Sequence, residues 1–297
     1  MANDQYWAPT SPQSPLAQGI KAWEIYLRDQ GKSIYTIRSF IGDLLLLGSF
    51  LGVKQPLEKI TTNDLNQFLH WLQRERGVPC SAKSLARRVT SIKSFFRWLV
   101  SRGMLSIDPA EQIVQHSVIS PVPEVLTSVE QAAVRSITVK QAQQKRSDSR
   151  PQALFDLLLQ TGIKKGECLS ISVNHIDLDA PQGPILFIRY SNPANRYKER
   201  KLPLTPEWVT VLRDYLDQYR PMDKLFPWSP RRLEYLLEEL GKEAGLQKHL
   251  SFDMCRWTCA LNDWKSGMDH EKIRQKLGTS KIQWREISMK LCKLAEQ

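Results

Sequence analysis

Between Ser81 and Gly103 the chain carries six basic side chains and no acidic one. Lys83, Arg87, Arg88, Thr90, Ser94, Arg97 and Arg102 lie off a stripe of Leu85, Val89, Ile92, Phe96 and Leu99 at three- and four-residue steps, the pattern of an amphipathic helix. Exposed helical faces ordinarily mix both signs, so cations interleaved with hydroxyls fit contact with phosphates; a solvated basic face is the plainer alternative. Further groups share this chemistry: Ser33, Thr36 and Arg38 at a helix entry, Arg196, Lys198 and Arg200 in the stretch SNPANRYKER, and Arg231 with Arg232 after Pro230.

Nucleophiles and metal ligands are poorly supplied. The five cysteines (Cys80, Cys168, Cys255, Cys259, Cys292) are odd in number and form no CxxC pair, which predicts reduced thiols and a cytosolic setting. Cys255 and Cys259, one helical turn apart without further ligands at metal spacing, read as small core residues. His249 is expected at the surface or in a cap, and His70, His116, His175 and His270 are scattered. No tyrosine occurs from Leu236 to Gln297, and Tyr235, among Leu233, Leu236, Leu237 and Leu240, is expected to pack. Neither a cofactor nor a metal is expected.

The elements that must position these groups suggest two domains, since 297 residues with 41% hydrophobic content can bury two cores. A formal charge of +11 points to a polyanionic partner. The start, MANDQYWAPTSPQSP, has neither a basic n-region nor an apolar h-region, and no later run approaches eighteen uninterrupted apolar residues. A cytoplasmic protein without a membrane-spanning segment is the expectation, and charge alone does not choose between nucleic acid and an anionic surface. Residues 1–14 read as a flexible arm and 15–105 as a helical domain whose basic face suits a polyanion. Its four helices begin near Leu16, Tyr35 after a Ser33 cap, the Thr61–Asp64 cap, and Ser81. Residues 106–127, with Pro109, Pro121 and Pro123, read as a linker to a second domain, 128–297. There, helices are predicted over Ser128–Ser136 and Pro151–Gln160 with QAQQKRSDSR as a loop between them. Strands are predicted over Pro184–Tyr190 and Lys201–Leu204, and helices from Pro206 onward. The fold class is mainly α with a small β-sheet.

The order of motifs resembles the tyrosine recombinase (phage integrase) family over about Leu16 to Leu291. SIYTIRSFIGDLLLLGSFLG and SLARRVTSIKSFFRWLVSRGMLSIDPAEQI resemble the first and last helices of its four-helix, SAM-like core-binding domain, and PVPEVLTSVE the entry to its catalytic domain. LLLQTGIKKGECLSI is similar to the box T-G-hydrophobic-R-x-x-E, and RYKERKLPL to the turn and strand ending K-x-R-x-x-P-L. DMCRWTCALNDWKSGM and IRQKLGTSKIQWREIS match the last two boxes. The resemblance implies a C-shaped clamp on double-stranded DNA. It also implies a pocket where two arginines and a lysine stabilise a phosphorane, without metal, while a tyrosine attacks.

Carried over residue by residue, the first arginine position holds Lys164, which keeps charge but loses the planar fork. The lysine position aligns with Asn195, although Arg196 or Lys198 could reach in. In the pattern H-x-x-R-H the histidines become Asp253 and Trp257, and Arg256 survives. L-G-H becomes Leu277, Gly278, Thr279, and the nucleophile position holds Ser288, whose hydroxyl has a far higher pKa than a phenol and no histidine as base. The resemblance thus implies a DNA-binding protein without strand cleavage: a regulator, an architectural factor, or an inactive partner of an active recombinase. Two alternatives stand beside it. One is an active recombinase or nicking enzyme using Ser288 or a residue in trans. The other is a protein-interaction subunit docking its C-terminal helix, Ile282–Glu296, on a recombinase or on a second copy.

Overall fold

The computed structural model describes residues 11–78, 80–115, 121–144 and 147–296; His116 and residues 1–10 of the expected arm lie outside these. The chain divides into two compact units, Met1–Ser120 and Pro121–Gln297.

The first unit contains α1 (Leu16–Asp29), α2 (Ile34–Leu51), α3 (Thr62–Arg74) and α4 (Ala82–Ser101). The predicted caps at Ser33 and Thr61 form, and Ser81, the predicted start of the fourth helix, caps it as well. Ser33 Oγ accepts from the Thr36 N–H at 3.1 Å, Thr61 and Asp64 make a reciprocal capping box, and Ser81 Oγ accepts from the Ser84 N–H at 3.2 Å. The core is aromatic: Trp23 stacks on Phe40 at 5.7 Å and meets Phe95 edge-on at 5.5 Å. Trp23 and Phe95 are fully buried, and each contributes roughly 1.5–3 kcal/mol. Gly19 lets α1 approach α4, since a Cβ there would lie 3.3 Å from the Phe95 ring and 3.2 Å from Leu57. The buried stripe of α4 is wider than its spacing predicts. Val89, Ile92, Phe96 and Leu99 are joined by Ser91, Phe95 and Trp98, while Leu85 is only half-buried.

By length and composition α2 could cross a membrane, which the search for uninterrupted apolar runs overlooks because Arg38 and Asp43 interrupt it. Its Ile37, Leu44 and Leu47 are core residues of this unit. Two boundaries also shift. Residues 11–14, expected as the end of a loose arm, are pinned: Leu57 N–H donates to Ser14 O at 3.0 Å and Glu58 N–H to Pro12 O at 2.9 Å. The first part of the expected linker packs into the first unit through buried Ala110 and Ile113, and Lys93 Nζ donates to Glu111 O and Ile113 O at 3.0 and 2.7 Å.

The second unit opens with α5 (Ser128–Gln143), capped by a Thr127–Glu130 box, and α6 (Arg150–Thr161). The α5 helix runs well past the predicted end at Ser136, because Thr138 buries against the core and carries the helix into the polar QAQQ segment. Next come α7 (Lys165–Ser170), β1 (Ile176–Asp177), β2 (Ile185–Ile188) and β3 (Arg200–Pro203). They are followed by α8 (Pro206–Tyr219), α9 (Pro230–Glu243), α10 (Phe252–Lys265), α11 (His270–Lys276) and α12 (Lys281–Ala295). The antiparallel sheet has the order β1-β2-β3, with Phe187 opposite Lys201 and Ile188 opposite Arg200; the two-residue β1 is too short to carry a periodic signal. Leu154, Phe155, Leu157 and Leu158 of α6 are fully buried at the centre of this unit. The C-terminal helix folds back on its own unit, burying Leu291 and Leu294 against Ala260, Leu261, Ile273 and Leu277. That contact takes up part of the apolar surface of the helix expected to dock on a neighbour, while Ile282 and Met289 stay exposed.

Candidate functional site

The pocket starts at the end of α6. Gly162 terminates that helix in the left-handed conformation (φ 59°), and a Cβ there would stand 3.0 Å from Leu277 and 3.2 Å from Cys259 Sγ, so the turn closes tightly on α10 and the α11–α12 turn. Two residues later Lys164 stands at the head of α7, its N–H donating to Glu167 Oε2 at 2.9 Å.

Glu167, 4% exposed, is the hub of the pocket. Arg200 grips it with both prongs, Nη1 to Oε1 at 2.9 Å and Nη2 to Oε2 at 2.8 Å, and the Tyr190 hydroxyl donates to Oε1. Burial would raise this carboxyl, but Arg200, Tyr190 and the Lys164 N–H outweigh it and hold the pKa down to about 2. Lys164 is shifted the other way for an ammonium. Burial, opposed by Glu167 and joined by repulsion from Arg256, Arg200 and Lys198, brings it down to about 8.

Four consecutive carbonyls at the end of α11 each take a different cation. Arg200 Nε donates to Lys276 O at 2.6 Å, Arg256 Nη2 to Leu277 O at 2.7 Å, Lys164 Nζ to Gly278 O at 3.1 Å and Arg274 Nη1 to Thr279 O at 2.6 Å. Helix C-termini favour such donors because their last carbonyls lack partners and carry partial negative charge. Arg256 also donates from Nη1 to Gly162 O, so both prongs of its fork are used. Gly278 is required here: its φ is +56°, and a Cβ would lie 2.5 Å from Arg200 Nη1.

Lys164 and Arg256 also line a cleft of about 1010 Å³ whose walls include Lys165, Arg231, Tyr235, His249 and exposed Asp253. Tyr235, expected to pack, is 41% exposed at this cleft, with Arg231 Nη2 donating to its hydroxyl at 2.7 Å. Its helix buries Leu233, Leu236, Leu237 and Leu240 on the opposite face. Ser288 is not among the residues lining the cleft; its Oγ donates to Arg285 O at 3.2 Å along α12. Thr279 is buried, and its hydroxyl points back at Arg274 O at 3.3 Å. Asn195 lies in the 3-10 turn Pro193–Lys198, where its Oδ1 accepts from Lys198 Nζ at 2.9 Å. Trp257 is half-buried in a smaller cluster with Trp264 and Trp284. Cys255 and Cys259 are core thiols, Cys259 pushed up to about 12, chiefly by burial.

The basic surfaces divide into committed and open cations. On α4, Arg87 donates to Asp43 Oδ2 and to Ser39 Oγ, Arg88 Nε lies 3.7 Å from Asp43 Oδ1, and Ser91 Oγ donates to Asp43 Oδ2 at 2.7 Å. The missing acid of this helix is therefore Asp43 on α2, 4% exposed. Arg88, only 14% exposed in its side chain, is a structural cation rather than a surface one, and Arg87 keeps part of its guanidinium open at 41%. Lys83 and Arg97 are exposed, Ser94 is half-buried, and Thr90 Oγ1 donates to Ala86 O and accepts from Gln115 Nε2. Arg102 packs over the Tyr26 ring at 5.3 Å. At the α2 entry the Ser33 hydroxyl is occupied by the cap and lies 2.9 Å from Thr36 Oγ1, while Arg38 is exposed. In the second unit Arg196, Arg231 and Arg232 are exposed and Lys198 half-buried, but Arg200, expected on the hairpin surface, is turned inward.

Glu167, Tyr190 and Asp43 were the residues that sequence reasoning missed. Glu167 ends the quoted TGIKKGE box, and a lone aspartate inside the apolar run FIGDLLLL signals a buried partner of opposite charge.

Known proteins share the sequence and the fold over most of this chain. A tyrosine recombinase XerD of Listeria monocytogenes is 27% identical over 289 residues, covering 90% of this chain and 91% of its own. A tyrosine recombinase XerC of Corynebacterium glutamicum is 26% identical, covering 86% and 82%. Among solved structures, a lambda integrase tetramer bound to a Holliday junction matches with a TM-score of 0.73 at 16% identity, covering 94% of this chain and 78% of that one. XerH recombinase bound to a palindromic difH substrate matches at 0.72 and 16%, covering 95% and 83%. The phage integrase N-terminal SAM-like domain matches residues 20–103, and the phage integrase family matches residues 128–287, more than half of the chain and ending one residue before Ser288. The chain belongs to the phage integrase, or tyrosine recombinase, family.

Proposed function

We propose that this protein grips duplex DNA without cutting it, and serves at the nucleoid as a regulator, an architectural factor or an inactive partner in recombination or integration. One observation carries the reading: the pocket cations are spent internally. Arg200 is consumed by Glu167 and Lys276 O, Arg256 by two carbonyls, and Lys164 donates to a third. A scissile phosphate in the cleft would meet only the remaining N–H groups of Arg256 and Lys164, already oriented by these carbonyls, and the serine at the nucleophile position is bonded along its own helix. Gripping falls to the cations left open: Arg38, Lys83, Arg97 and the free part of Arg87 in the first unit, and Arg196, Arg231 and Arg232 in the second. The relatives support the partner class, being named tyrosine recombinases, and the solved relatives include complexes with DNA.

Binding is tested by fluorescence anisotropy on a labelled duplex from the DNA flanking the protein's own gene. Contact with roughly six to ten phosphates gives a log-log salt slope of about −5 to −9. An affinity indifferent to salt contradicts the reading.

A second reading has one observation in its favour. Tyr235 presents a phenol in the same cleft as Lys164, His249 and Arg256, with Arg231 on its oxygen. An attack by that oxygen on phosphorus, its proton passing to His249, would form a phosphotyrosine bond and break the bond to the 5′ oxygen, which would take a proton from the Lys164 ammonium. A covalent adduct lost in Tyr235→Phe would establish it.

A further inference from the structure

The outer face of the three-stranded sheet carries two cations, Arg189 and Lys201, that neither the pocket nor the grip uses. Successive strand residues point to opposite faces, so Arg200 turns inward with Leu202 while Lys201 turns outward opposite Phe187. Arg189, just past β2, lies on the same side. Its guanidinium carbon sits 5.4 Å from the Phe187 ring centroid, and Lys201 Nζ lies 5.4 Å from the same centroid. The two charges are held in place by an aromatic ring. A ring attracts a cation without cancelling its charge, whereas a carboxylate neutralises it.

These residues line a hollow of about 760 Å³ with Lys224 and Ser191, bordered by Arg196 of the grip and by Arg200 and Tyr190 of the pocket. Among the described residues Arg189, Arg196 and Lys201 have no carboxylate within 4.0 Å. The acid in the hollow, Glu199, already accepts from the Tyr190 N–H at 2.9 Å, and Asp177 stands at the far end of the face opposite Ile185. The positive field reaches His175, held below its usual pKa first by burial and then by repulsion from Arg189 and Lys224. The hollow shares no lining residue with the cleft of Lys164, Tyr235 and Arg256.

We propose that this outer sheet face is a second phosphodiester-binding surface, which takes a nucleic-acid segment other than the duplex gripped by the first set of cations. A guanidinium, an ammonium and the Ser191 hydroxyl on one concave face are the groups that contact backbone phosphates. The face goes beyond the grip on one duplex: a protein with both surfaces can bring two segments together.

A bridging assay tests this directly. Beads carrying one 30-base-pair duplex are saturated with the protein, and capture of a second, fluorescent duplex is measured beside single-duplex affinity by anisotropy. The double variant Arg189→Ala with Lys201→Ala, which leaves the pocket and Arg196 intact, should reduce capture at least tenfold while changing single-duplex affinity less than twofold. Capture that survives the double variant overturns the proposal, and includes bridging by two copies that each hold one duplex. So does a parallel fall in both readouts, which would make the face part of the first grip. Displacement of the second duplex by polyglutamate more readily than by polyphosphate would instead assign the face to an acidic polypeptide. Duplex binding without capture sinks only this surface, whereas no duplex binding at all sinks the proposed function.

Discussion

Arg200 and Lys201 are neighbours in the chain and opposites in surroundings. Arg200 is 8% exposed in its side chain, gripped by Glu167 and a backbone carbonyl; Lys201 is exposed and rests on a phenyl ring. The same division separates Arg88 from Arg97 on α4, one drawn to buried Asp43 and the other open. A positive charge in this protein either holds the fold or is offered to a partner, and the side of the strand or helix it occupies decides which. A net charge of +11 therefore overstates the specific contribution of the pocket and understates that of the surfaces around it.

The comparison breaks most severely at Glu167. Glu167→Ala would leave Arg200 buried without a counter-charge, and should cost about 3–5 kcal/mol in urea unfolding of the second unit. If the loss is under 1 kcal/mol, Arg200 is not an internal cation in the sense argued here. Acid should reach the same bond without mutation. The folded carboxyl titrates near 2 against an ordinary value of 4.5, so its stabilisation is complete above about 4.5 and is lost as pH falls toward 2. The shift corresponds to roughly 3 kcal/mol, and Glu167→Gln should flatten that part of the stability profile.

Arg256 gives the next effect. Arg256→Met removes the donors to Gly162 O and Leu277 O and should cost about 2–3 kcal/mol, with duplex affinity changed less than about twofold at a temperature where the variant stays folded. A large affinity loss with little change in stability would move Arg256 to the offered class. At the open end, Arg97→Ala should leave stability within about 0.5 kcal/mol and lower the salt slope by about 0.9 for the one phosphate lost.

Much of this division was legible in the sequence, and its limits have physical causes. Periodicity located the four helices of the first unit, two of them marked by caps at Ser33 and Thr61 that satisfy local backbone donors, whereas the short α7 of the second unit carried no periodic signal. The family motifs brought Lys164, Arg256 and the α11–α12 turn together. Helical spacing placed Arg87 and Arg88 off the apolar stripe, but it says nothing about an acid more than forty residues earlier. Alternation along β3 would have turned Arg200 inward, yet its polar, hairpin-like neighbours argued for the surface. Tyr235 shows the converse error, since a tyrosine among four leucines can still occupy the face of the helix that they leave exposed.

The central claim is that this protein holds DNA and leaves it intact. Duplexes nicked at staggered positions, so that a cleaved end diffuses away and religation is prevented, would be tiled across the DNA flanking its gene. Complexes saturated by anisotropy would then be run on a denaturing gel. The account predicts saturated binding with no protein–DNA band above the uncomplexed protein. A covalent band that disappears in Tyr235→Phe or in Ser288→Ala would contradict it and restore the chain to the working enzymes of its family.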